Sequence, residues 1–72
     1  MSERLKRLHE LDVQIAESRA RIVRQKQYIA ELMRNDCNAV ASKSLLSEEE
    51  CLLRLMTAQR TLVERSLRGL TP

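Results

Sequence analysis

One histidine, His9, two cysteines, Cys37 and Cys51, and the carboxylate run Glu48-Glu49-Glu50 are the residues of this 72-residue chain with the most obvious chemistry. His9 stands near Glu10 and Asp12, so a carboxylate-assisted imidazole base can be drawn. A general base also needs a nucleophile or a bound substrate in a sheltered pocket, and the neighbouring sequence supplies neither. His9 therefore reads as a solvated or interface-rim side chain. The glutamate run has the charge to hold a divalent cation, but successive helical positions point about 100° apart and cannot converge on one ion. It reads as a charged helix face. The Glu-x-x-His spacing of carboxylate-bridged metal sites in helix bundles is absent. Cys37 and Cys51 form no CxxC pair and have no third Cys or His to complete a zinc site, and in a reducing cytosol they are expected as thiols. Cys37 is expected exposed and inert in a turn, and Cys51, beside Leu52, is expected to pack as a small hydrophobe. No catalytic residue, cofactor or metal site follows from these groups, and the chain reads as a non-enzyme.

The cations offer a different chemistry. Arg4, Arg7, Arg60, Arg65 and Arg68 fall near one end of any hairpin folded at mid-chain, and several cations on one face are what phosphate binding requires. Glu3, Glu10 and Glu64 dilute that patch. Tyr28 is the sole aromatic residue, so no stacking platform accompanies it. Net charge is +3, distributed as +3 over residues 2–34, −3 over 35–50 and +3 over 51–72. A nucleic-acid surface at the basic end is kept as the alternative to a protein-interaction module.

These side chains must be carried by helices. Gly69 and Pro72 are the only glycine and proline, so nothing before residue 69 strongly opposes a helix. With one aromatic residue and scattered β-branched residues, strands have little raw material. Leu, Ile and Val make up 19 of the 72 residues, enough to exceed the composition of a disordered segment at 32% charge. No apolar run reaches the length of a membrane span, and the start Met-Ser-Glu-Arg has no signal-peptide core, so a cytoplasmic protein is expected.

The ladder Met1, Leu8, Ile15, Ile22 and Ile29 repeats every seven residues, with Leu11, Ser18, Gln25 and Leu32 at the companion positions. That is a heptad seam, and it predicts a first helix over about 2–34 capped by Ser2. Val13, Val23 and Met33 flank the ladder, and Glu3–Arg7 and Glu17–Arg21 have the spacing of favourable helical ion pairs. Asn35-Asp36-Cys37-Asn38 is the one cluster of turn formers, with Asn35 suited to the left-handed position and Asn38 to the next cap. A second helix over about 39–68 follows. Ser44 or Ser47 ahead of the glutamates would start a shorter one, and the longer helix is preferred.

A turn centred between Asp36 and Cys37 sets residue i beside 73 − i, which brings the glutamate run beside Arg24, flanked by Arg21 and Lys26. Gln59 then falls at the seam of the second helix. The fold class expected is all-α: an antiparallel, coiled-coil-like two-helix hairpin. Two helices of this size bury little, and Leu52, Leu53, Leu55 and Met56 cover a wider arc than one neighbour needs. A homodimeric four-helix bundle is the expected remedy. Leu8, Ile15, Ile22, Ile29, Leu52, Leu55, Met56 and Leu62 are the candidate core and interface residues.

Two segments carry a resemblance. Gln14-Ile15-Ala16-Glu17-Ser18-Arg19-Ala20-Arg21-Ile22-Val23-Arg24-Gln25 and Leu53-Arg54-Leu55-Met56-Thr57-Ala58-Gln59-Arg60 resemble the two helices of a family of short, uncharacterised bacterial helical-hairpin proteins, with an I-A-E-G-x-x-R-I-x-R-Q pattern followed by L-R-L-M-x-x-x-R. The likeness covers about residues 8–65. Ser18 stands where that pattern has Gly, and Asn35-Asp36-Cys37-Asn38 replaces its Asp-Gly turn. The resemblance implies a hairpin and lends no activity.

Overall fold

The Ser2 hydroxyl accepts the Leu5 backbone N–H at 3.1 Å, satisfying one of the free donors at a helix start. Glu3 adds a carboxylate to the first turn, where the helix dipole favours it. The computed structural model describes residues 2–69. Helix α1 spans Glu3–Arg34 and helix α2 spans Val40–Arg68, and the two pack against each other as a hairpin measuring 58 × 16 × 14 Å. Met1, expected as the first rung of the ladder, lies outside the described residues, as do Leu70 and Pro72 at the other end. Gly69 ends α2 in a right-handed conformation, its N–H donating to Arg65 O at 2.9 Å.

The turn differs from expectation in one residue, and the difference resets the register. Asp36, not Asn35, takes the left-handed conformation, with φ 54°. Its N–H donates to Met33 O at 3.2 Å and the Cys37 N–H to Leu32 O at 2.8 Å. These two bonds make a Schellman closure with Asp36 just past the helix cap, a place where a short polar side chain is tolerated. Cys37 is thereby level with Leu32, so the reversal is centred near Arg34–Asn35 rather than between Asp36 and Cys37. Ala39, not the expected Asn38, holds the N-cap position of α2 and makes no side-chain cap bond, while Asn38 Oδ1 accepts the Val40 N–H at 3.0 Å from one residue earlier. As a result Glu49 meets Ser18 and Arg21, three to six residues nearer the chain start than the Arg24 expected opposite it.

Along α1 the seam follows the heptad. Leu11, Ile15, Ser18, Ile22 and Ile29 are buried, and Leu8, Gln25 and Leu32 are half-buried. Along α2 half-buried Ser42, Leu46, Glu49, Leu53, Met56, Arg60, Val63 and Leu67 continue the 3-4 spacing from buried Ala39, with Glu50 and Glu64 half-buried beside them. Arg60, and not the expected Gln59, therefore occupies the seam. Cys51, expected to pack, and Met33, flanking the ladder, are exposed, since each lies off its helix's seam. No residue within α2 is buried, although α1 has five. One neighbour covers the inward side of α1 well and that of α2 only in part.

Candidate functional site

Three features of the hairpin stand apart from its apolar seam: a polar cluster at mid-length, an ion-pair network near the open end, and an exposed leucine stripe on α2. The cluster forms because the heptad puts Ser18 on the α1 seam and the register puts Glu49 opposite it. Ser18 is fully buried and its Oγ donates to Glu49 Oε1 at 2.7 Å. Arg21 Nε and Nη2 donate to the same oxygen at 3.1 and 3.0 Å. The Ser18 hydrogen bond, followed by those from Arg21, holds the Glu49 carboxyl below the ordinary glutamate range. A seam carboxylate met by a hydroxyl and a guanidinium fixes one alignment of the two helices, since a slip by a turn would strand it.

The lowered carboxyl carries a pH prediction. A group with a depressed folded-state pKa contributes stability that is complete above its unfolded value and is lost as pH falls through the folded value. Urea midpoints should therefore drop as pH is taken below about 4, the usual glutamate value. In Glu49→Gln the drop over that window should be smaller; an identical acid limb in both proteins would mean the cluster does not couple to folding.

Arg60 organises the second feature. It donates to Asp12 through Nε and to Glu64 Oε2 through Nη1, the latter at 2.7 Å, and Arg68 also donates to Glu64. The bond to Asp12, then that to Glu64, raises the Arg60 pKa further above its ordinary value. Arg7 lies 3.6 Å from Glu10 and donates to Gln59 Oε1 at 3.4 Å, and Arg21 takes Glu49 in place of the expected Glu17. Of the five arginines considered for phosphate contact, Arg7, Arg60 and Arg68 are thus held by acidic or amide partners. Among the described residues only Arg4 and Arg65 of that set have no such partner. The patch is a network of alternating signs.

The third feature is apolar. Leu45, Leu52, Leu55 and Leu62 are 58%, 52%, 57% and 65% exposed and share one stripe of α2, spaced 7, 3 and 7 residues apart. Three of the expected core and interface residues, Leu52, Leu55 and Leu62, thus lie outside the intramolecular seam. Ile15, Ile22 and Ile29 are buried within it and Leu8 and Met56 are half-buried there. Leu45 joins the stripe by spacing and adds to the residues expected at an interface. Single exposed leucines are ordinary on a protein surface, but four aligned on one helix face, interrupted only by Glu48 and Gln59, stand out from it.

The remaining candidates stay apart. His9 and both cysteines are exposed, and the Cys37 thiol lies 3.6 Å from Asn35 O. Among the described residues no group of three His, Cys, Asp or Glu side chains is placed to hold a metal ion, and no helix is long and apolar enough to cross a membrane. Two shallow grooves of about 390 and 340 Å³ flank the seam, one beside Asp12, Arg19 and Arg60, the other beside Arg21, Arg24 and Tyr28. Neither contains His9 or a cysteine. Gln25 Oε1, at the edge of the second groove, is buried without a hydrogen-bond partner. No protein-family model, curated protein or solved structure matches this chain, and what the site does is read from its geometry.

Proposed function

We propose that this hairpin is a non-enzymatic structural or protein-interaction module of the cytoplasm that self-associates into a homodimeric four-helix bundle and presents that bundle to a protein partner. The observation that carries the reading is the leucine stripe of α2, a row of half-exposed side chains outside the intramolecular seam. Apolar surface of this extent costs free energy in water and is relieved by burial against another helix. The incomplete burial of the α2 seam points the same way. The likeness to short bacterial helical-hairpin proteins accords with a hairpin module and adds no activity.

The alternative, a nucleic-acid surface at the basic end, is disfavoured because most of its arginines already hold acidic or amide partners. Both readings are tested together. Sedimentation equilibrium at micromolar concentration should give twice the chain mass, and a native-cytosol pull-down should retain protein. A monomer that retains RNA or DNA at low salt and releases it steeply as salt rises, with loss in Arg65→Glu/Arg68→Glu, would replace the first reading by the second.

A further inference from the structure

We infer that the self-association surface is the leucine stripe of α2 meeting the same stripe of a second copy, antiparallel, with the two-fold axis crossing α2 between Leu53 and Arg54. This rests on the reading of the hairpin as a self-associating module and names the surface and register. The stripe is symmetric about that point. Antiparallel pairing there sets Leu45 opposite Leu62 of the second copy, Leu52 opposite Leu55, and Glu48 opposite Gln59. A closed two-fold interface requires one patch to complement itself in this way.

The polar layer fits as well as the apolar ones. Gln59 already accepts from Arg7 through Oε1, which leaves its amide N–H groups to donate, and the exposed Glu48 carboxylate can only accept. Each dimer would contain two such Glu48–Gln59 contacts, bracketing the central leucine layers and opposing a slip of the pairing.

The α1 surface beside the stripe does not offer the same contact. Positions one side step from the α1 seam carry Arg7, Glu10, Glu17, Arg21 and Arg24, so two copies of α1 would bury charge against charge. The contact between the two hairpins is therefore made by α2 against α2. The stripe runs about 26 Å along the helix at 1.5 Å per residue. At about 100 Å² of exposed area for each leucine, eight leucines remove roughly 800 Å² from water before flanking residues are counted. With those flanks the total approaches the ~1,000 Å² that is the lower bound for a specific interface.

Thiol cross-linking in a Cys37→Ser/Cys51→Ser background reads the register directly. Leu45→Cys and Leu62→Cys chains, both still helical by circular dichroism, are treated with a short bis-maleimide separately and after mixing. The mixture should give a covalent dimer and each variant alone almost none, because like positions sit about 26 Å apart across the axis. Cross-linking of each variant with itself would mean parallel pairing and overturn the register. A wild-type dimer with no cross-link in the mixture, and with the variants dimeric, would overturn the surface while leaving the self-associating module intact. A monomeric wild-type chain would overturn both. If the cysteine substitutions dissociate the dimer while Val23→Cys on α1 does not, the stripe is supported by that loss.

Discussion

Ile22→Asp should abolish the cooperative unfolding transition of the hairpin. Ile22 is 7% exposed at the middle rung of the α1 ladder, one heptad from both Ile15 and Ile29. The substitution removes a packed side chain and puts an uncompensated carboxylate in its place, beside the layer where Glu49 already places a negative charge. Removing the buried isoleucine side chain alone costs about 2–5 kcal/mol, and the stranded charge adds to it. A two-helix domain of this size has little more than that in reserve. Far-ultraviolet circular dichroism at 25 °C should show most of the helical signal gone, or a urea midpoint too low to define a native baseline. A variant that unfolds cooperatively near the wild-type midpoint would mean that the heptad ladder is not the core. The pH dependence makes a second check, because a variant that folds only when the introduced carboxylate is protonated would fold better in acid.

Leu52→Glu/Leu55→Glu should do the opposite: keep the helices and lose the assembly. Both leucines are more than half exposed and lie off the seam, so the hairpin loses little packing, and the cost in fold stability is a few tenths of a kcal/mol from like charges near Glu48. In the proposed dimer these residues would form the two central layers. Burying the exposed half of a leucine contributes about 1 kcal/mol, so four leucines contribute about 4 kcal/mol. That corresponds to roughly a thousandfold change in dissociation constant. Four carboxylates gathered at the axis raise the cost further. Sedimentation should give a monomer at concentrations where the wild type is dimeric, with helical content nearly unchanged. A dimer that survives this double substitution excludes the stripe as its interface.

The contrast between these two variants separates the parts of the molecule that sequence made legible from those it did not. The Ile ladder was legible because a seven-residue repeat in a chain free of Gly and Pro before residue 69 admits few structures other than a helix with one buried stripe. Ser2 was legible as a cap for a local reason: its side-chain oxygen reaches a backbone N–H three residues ahead, whereas the cap of α2 fell on Ala39, one residue past the expected Asn38. The register was not. Asp36 rather than Asn35 turned left-handed, a choice between two short polar residues with similar tolerance for that conformation, and Glu49 met Ser18 and the flanking Arg21 rather than centring on Arg24.

The candidate site divides along the same line. The surplus apolar width of the second helix could be counted from the order of its leucines, and so could the absence of Glu-x-x-His spacing. Which leucines face inward could not be counted, because a helix with two adjacent apolar stripes can turn either one toward its neighbour. The pairing with α1 selected Leu46, Leu53, Met56, Val63 and Leu67, placed Arg60 rather than Gln59 on the seam, and left Leu45, Leu52, Leu55 and Leu62 outside. The basic patch, already diluted in sequence by Glu3, Glu10 and Glu64, lost further free cations when Asp12 met Arg60 and Gln59 met Arg7 across the hairpin, which sequence could not show. The sequence alone determined the helices, their approximate ends and the segment in which the chain reverses, because these follow from local periodicity and capping. Only the tertiary structure decided the register, the inward face of α2 and the partners of its charges, because each depends on contacts between residues far apart in the chain.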